Sequence, residues 1–121
     1  MTQSYVADNY HYFTDVRANA TVVTNSGANS GIPYQFYNYT LTEENVYVYN
    51  RYSQLYKIIS RANTLFAHLG DVSYATPSAR DTYEAEARFL RALSYYWLVT
   101  EWGDVPLVLK VLESTEEVRA N

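Results

Sequence analysis

The segment EAEARFLRALSYYWLVTEWGDVPLV, residues 84–108, constrains the fold more than any other part of the chain. It keeps helical register up to Trp102, where Gly103 ends it and Pro106 bars continuation. At the other end Thr76 supplies a cap and Pro77 a first helical position at which a missing N–H costs nothing. A helix over 77–102 follows. Tyr83, Ala87, Leu90, Ser94, Trp97 and Leu98 form one stripe on it, and Phe89, Leu93, Tyr96 and Val99 a second, rotated one. A helix apolar nearly all round is buried by neighbours on several sides.

The nearest neighbour is upstream. Leu55, Tyr56, Ile59, Ala62, Asn63, Phe66 and Leu69 recur at helical spacing, which predicts a helix over 43–69. Thr40 or Thr42 is placed to cap it, with Glu43 and Glu44 in its first turn and Gly70 as a left-handed stop. Val46, Val48 and the tyrosines between them also fit a strand at its start. The short connector 70–77 makes the two helices an antiparallel pair, expected to bury Tyr56, Ile59, Phe66, Phe89, Leu90, Leu93 and Trp97. One partner helix cannot cover both stripes of 77–102. Past it, VPLVLKVL reads as extended, and Ser114-x-x-Glu117 is a capping-box pattern announcing a third long helix. The expectation is the front piece of a larger helical protein, its extended tail 103–121 ending before that helix.

Two segments precede the pair. Residues 3–16 carry Val6, Tyr10, Phe13 and Val16 near helical period, predicting a short amphipathic helix. Residues 17–42 are rich in Asn, Ser, Gly and Thr around Pro33 and keep no period, so they read as a long irregular loop. Loops of that length in a compact domain tend to be functional. The fold class is all-α.

Composition narrows function mainly by exclusion. The formal net charge is −4, and the first fifty residues contain a single basic side chain, Arg17. A nucleic-acid partner needs a clustered basic patch, and an anionic membrane surface is equally unattractive to such a chain. The absence of cysteine excludes disulfides, thiolate metal sites and cysteine nucleophiles within these residues. His11 and His68 lie far apart in no metal-type spacing, and no Gly-x-Ser-x-Gly turn or Gly-rich phosphate loop occurs. Neither a cofactor nor an enzymatic activity is expected. Fourteen tyrosines dominate the aromatic content. Tyr pairs a large apolar face with a polar tip, suiting a helical core with wet edges or a surface that stacks on ligands.

The residues around the two long helices resemble the hallmark segment of the SusD/RagB family of outer-membrane nutrient-binding lipoproteins. Glu86, Ala87, Phe89, Leu90, Arg91 and Ala92 match its first block, then Tyr95, Tyr96, Leu98, Gly103, Asp104, Val105, Pro106 and Leu107. Tyr56, Ile59 and Asn63 match the Tyr-x-x-Ile-x-x-x-Asn pattern of the preceding helix. Asp15-Val16-Arg17 followed by Asn19 is similar to an Arg-Ser-Asp-Asn stretch after the first helix, although its acidic residue is missing here. The resemblance implies tetratricopeptide-like helix pairs, a cell-surface location at the outer membrane, and a lipid anchor outside this cysteine-free chain. It also implies an oligosaccharide or peptide ligand and a SusC-like TonB-dependent transporter as partner.

Two groups of residues are candidates for a role. Glu86 and Arg91, with Gly103, Asp104 and Pro106, read as a structural motif, the charged pair joining a lock between helices rather than doing chemistry. In IPYQFYNYT, Tyr34, Tyr37, Tyr39 and Asn38 are the candidate ligand-binding residues. Sugars stack an apolar ring face on aromatics while amides take the hydroxyls. Relatives often carry tryptophan in this loop, and this one has none. Alternatively these aromatics pin the loop to the helices, and the chain is a docking module for the transporter, with ligand bound elsewhere. Phe36 is expected to face inward, and at least one of Tyr34 and Tyr37 to face solvent.

Overall fold

The computed structural model describes residues 9–23, 31–114 and 117. A π-helical turn, Tyr12–Val16, comes first, followed by the one-turn helix α1 (Tyr34–Tyr37) and two long helices, α2 (Val46–His68) and α3 (Pro77–Trp102). No strand occurs among the described residues. The fold is all-α. Its contacts group into two compact units, Met1–Gln54 and Leu55–Asn121, and α2 runs through both.

In the first unit the core is aromatic. Phe36 is fully buried, its ring 4.9 Å from Phe13 edge-on and 5.7 Å from Tyr12 in a stacked arrangement. Tyr12 also meets Tyr47 of α2 at 5.3 Å, and the buried guanidinium of Arg51 lies 4.7 Å over the Tyr10 ring. The expected helix 3–16 is thus seen over its second half, with Val16 buried; residues 3–8 lie outside the described part, as do residues 24–30 of the expected loop.

α2 starts at Val46 rather than 43 because neither threonine caps it. Buried Asn45 does: its Oδ1 accepts the N–H groups of Tyr47 (3.0 Å) and Val48 (3.4 Å). Its Nδ2 donates to the carbonyl of Ile32 and to Gln35 Oε1, which ties the helix start to the segment before it. Glu43 and Glu44 fall outside the helix. At the far end Gly70 is not left-handed; the Asp71 N–H closes the last turn on the His68 carbonyl instead.

α3 has the expected bounds. Thr76 is extended there, but its hydroxyl meets Ser78 Oγ rather than capping a backbone N–H. Gly103 ends the helix at φ 77°, a conformation that strains any side-chain-bearing residue, with its N–H on the Val99 carbonyl. Within the second unit α2 and α3 run antiparallel: Tyr56 faces Tyr95, Asn63 faces Arg91 and Phe66 faces Arg88, so numbers rise on one helix as they fall on the other.

Two expected core residues are not in the core. Phe89 is 65% exposed and Leu90 48%. The face of α3 turned inward is Ala87, Arg91, Ser94 and Leu98, of which Ala87, Ser94 and Leu98 are buried. Phe89 sits two residues beyond Ala87, roughly 200° around the helix, and so points the opposite way. On α2 the buried positions are Arg51, Leu55, Ile59, Ala62 and Asn63, with Leu69 buried just past its end, while Tyr56 and Phe66, like Leu93 and Trp97 of α3, are half-buried.

Candidate ligand-binding site

Four hallmark residues of the two helices, Tyr56, Asn63, Arg91 and Tyr95, converge on the chain that follows Gly103. That chain is an extended strap without a strand partner, so its backbone must find hydrogen bonds elsewhere. Side chains supply them. Tyr56 donates its hydroxyl to the Pro106 carbonyl at 2.8 Å. The Tyr95 hydroxyl accepts the Val108 N–H at 2.6 Å and donates to the Val108 carbonyl at 3.0 Å. Asn63 Nδ2 bridges the carbonyls of Val108 (3.0 Å) and Lys110 (3.1 Å), while its Oδ1 accepts from Arg91 Nη1 at 2.7 Å. Arg91 reaches the Leu109 carbonyl at 3.4 Å, and its guanidinium lies 4.6 Å over the Phe66 ring.

The strap therefore reads Tyr56, Asn63, Arg91 and Tyr95 in place of a neighbouring strand. Val108 turns inward and is buried; Leu107 and Leu109 on either side are exposed, following the period of extended chain. Asn63 and Tyr95 each use both donor and acceptor within this arrangement, which is what a structural lock requires.

The motif residues divide accordingly. Arg91 is half-buried inside the lock, Pro106 contributes its carbonyl, and Gly103 makes the turn into the strap. Asp104 is exposed. Glu86 is exposed as well and takes no part in the lock. It lies five positions before Arg91, about 140° around the helix, whereas neighbours on one face are three or four apart. Tyr95 was matched as a motif aromatic, but its hydroxyl's role was hidden, since a partner on irregular chain leaves no periodic signal.

The second group lies in the first unit. Tyr34 and Tyr37 sit on one turn of helix, where Ile32 and Pro33 carbonyls accept the N–H groups of Gln35 and Phe36, and not in irregular loop. Their rings are half-buried and 5.6 Å apart, tilted by 38°. Asn38 follows the turn. Its Oδ1 accepts both the N–H (3.3 Å) and the hydroxyl (2.7 Å) of Thr40, and no described residue accepts from its Nδ2. Tyr39 has φ 59° and is 63% exposed, and its hydroxyl donates to the Arg17 carbonyl at 2.7 Å. Asn45, which with Gln35 holds this segment against the start of α2, was missed in the sequence. The available signal was an Asn directly before an apolar helical run.

No group of carboxylates and histidines among the described residues could hold a metal ion, and none of their helices is long and apolar enough to cross a membrane. No solved structure matches the chain. A curated protein does: the "SusD-like protein P25" of Formosa agariphila is 30% identical over 89 residues, covering 68% of this chain. The chain spans 17% of that relative's length. The SusD-like family model, described as "Starch-binding associating with outer membrane", matches residues 1–121. With Tyr56, Asn63, Arg91 and Tyr95 of the hallmark gathered at the strap and a family match over its whole length, this chain belongs to the SusD-like family.

Proposed function

We propose that the chain forms part of a cell-surface glycan-binding protein that works with a TonB-dependent outer-membrane transporter in oligosaccharide uptake. The function is capture and delivery, with no bond made or broken. The observation that carries this reading is the segment Tyr34–Tyr39, where three tyrosines and the uncommitted amide of Asn38 lie together at least partly open to solvent. Aromatic faces beside an amide donor are what a sugar ring with edge hydroxyls requires. The family's printed description as starch-binding favours an α-glucan. The test is calorimetric titration of the natural protein with maltoheptaose, before and after replacing Tyr34, Tyr37 and Tyr39 together by alanine. Binding that the triple replacement removes from folded protein supports the reading, and binding that survives it moves the ligand elsewhere.

A second reading has its own observation. Ala85, Phe89, Ala92, Tyr96 and Val99 line the outer side of α3 at spacings of four and three, and all are exposed. A purely structural tetratricopeptide-like module that docks the transporter would use such a face. Ligand, glycan or peptide, would then be held by other parts of the protein.

A further inference from the structure

Building on the glycan reading above, we propose that Tyr39 is the principal stacking surface of the segment, and that its hydroxyl bond to Arg17 is what makes it one. An exposed tyrosine is ordinarily tethered only at its Cα, and a ligand that stacks on it must first stop it moving. Tyr39 is tethered at both ends. Its hydroxyl reaches 22 residues back along the chain to the Arg17 carbonyl at 2.7 Å, so the ring is fixed while 63% of the residue remains in contact with water.

The backbone beneath the ring is equally constrained. Tyr39 adopts φ 59°, a region that a bulky L-residue avoids and that glycine or asparagine enters more easily. The turn is held on its far side by Thr40, whose N–H binds both the Gln35 carbonyl and Asn38 Oδ1. Folding gains little from a large apolar ring in water on a strained residue. Sites that keep such strain are often those where it positions a group for use.

The neighbouring tyrosines are less suited. Tyr34 and Tyr37 are half-buried and spend part of their faces on each other at 5.6 Å. Asn38, by contrast, adjoins Tyr39 in sequence, and its Nδ2 is open to donate to a sugar hydroxyl oxygen. The ring face and that one donor define a subsite for a single pyranose unit.

Tyr39→Phe separates the two parts of the proposal, because it keeps the ring and removes the latch. In the natural protein, titrated with maltoheptaose well below its melting temperature, Tyr39→Phe is expected to weaken binding about two- to tenfold, the scale of ordering one side chain. Tyr39→Ala is expected to weaken it further, and more than Tyr34→Ala does. Equal affinity of Tyr39→Phe and the unsubstituted protein overturns the latch. A lowered melting temperature with unchanged affinity reduces the bond to a staple for the turn. Unchanged affinity in Tyr39→Ala overturns the subsite while leaving the glycan reading intact; failure of the unsubstituted protein to bind maltoheptaose overturns that reading instead. Should Tyr39→Ala not fold, the Tyr39 ring protons of the unsubstituted protein decide: a ligand-induced shift supports the subsite and its absence overturns it.

Discussion

Arg91 and Asn63, on opposite helices, meet through a single 2.7 Å hydrogen bond that leaves both donors of the Asn63 amide for the strap. A guanidinium donates only, so it fixes which way the amide points. Oδ1 must face Arg91, and Nδ2 must face the two carbonyls. One charge on α3 thereby sets the register of chain 17 residues later, at Val108.

Asn63→Asp tests that orientation. It keeps shape and the bond to Arg91 but sets a carboxylate oxygen against the carbonyls of Val108 and Lys110. Asn63 is buried, so a destabilisation of about 1–3 kcal/mol is expected. Chemical denaturation measures it, and a neutral result would mean that the strap does not depend on the amide.

Arg91→Met addresses the other half of the pair. It loses the charge-assisted bonds to Asn63 and Leu109 but retains apolar contact with Phe66. The expected outcome is a lower melting temperature or yield, with ligand preference unchanged among folded molecules. Intact stability with lost binding would give Arg91 a role in the ligand site.

Leu90 and Leu98 should differ sharply although both are leucines on one helix. Leu98 is fully buried, and truncation to Ala should cost about 2–5 kcal/mol. Leu90 is half in water, so the same change should cost about 1 kcal/mol or less. Equal losses in urea melts would mean that Leu90 belongs to the core.

Where sequence failed on these residues is instructive. The bounds of α3 were legible because Pro77 and Gly103 each do something that only those residue types do well. Which face of α3 turns inward was not, since nearly every face carries large apolar residues. The structure chose the face with Ala87 and Ser94, small enough for close approach, and gave Phe89 to solvent. The start of α2 was misplaced for a related reason. Thr40, Thr42 and Asn45 are all competent caps, and tertiary bonds from Asn45 to Ile32 and Gln35 decide among them. At the candidate site the residue types were legible, but the pinning of Tyr39 depends on a carbonyl 22 residues away, which no local pattern encodes.

Acid should weaken α3 through Glu84. The hydrogen bond from Arg88, at 2.6 Å, holds the Glu84 carboxyl below its usual range, helped by the charges of Arg88 and Arg80. A depressed folded-state pKa contributes stability that is complete above the unfolded value and lost as pH falls through the folded one. Arg88→Gln should therefore raise the Glu84 pKa and flatten the acid limb of the stability profile. Carboxyl NMR titration reads the first effect and melts below neutral pH the second.

The outer face of α3 supplies the last prediction. Ala85, Phe89, Ala92, Tyr96 and Val99 alternate small and large at the four–three spacing of a helix-packing seam, and all five are exposed. Such a stripe buries itself against whatever helix is available. For the 121-residue chain alone, the available helix is α3 of another copy. In an antiparallel pairing centred on Ala92, Phe89 of one copy would meet Tyr96 of the other, with the alanines admitting close approach. The chain on its own should then self-associate with rising concentration in sedimentation experiments, and melt at a temperature that rises with it. Phe89→Lys and Tyr96→Lys together should leave a monomer, because the introduced charges face each other across the seam. Helix content should persist, as neither side chain is buried in the chain itself. A strictly monomeric unsubstituted chain would mean that the stripe tolerates water, and that the docking reading built on it has lost its support.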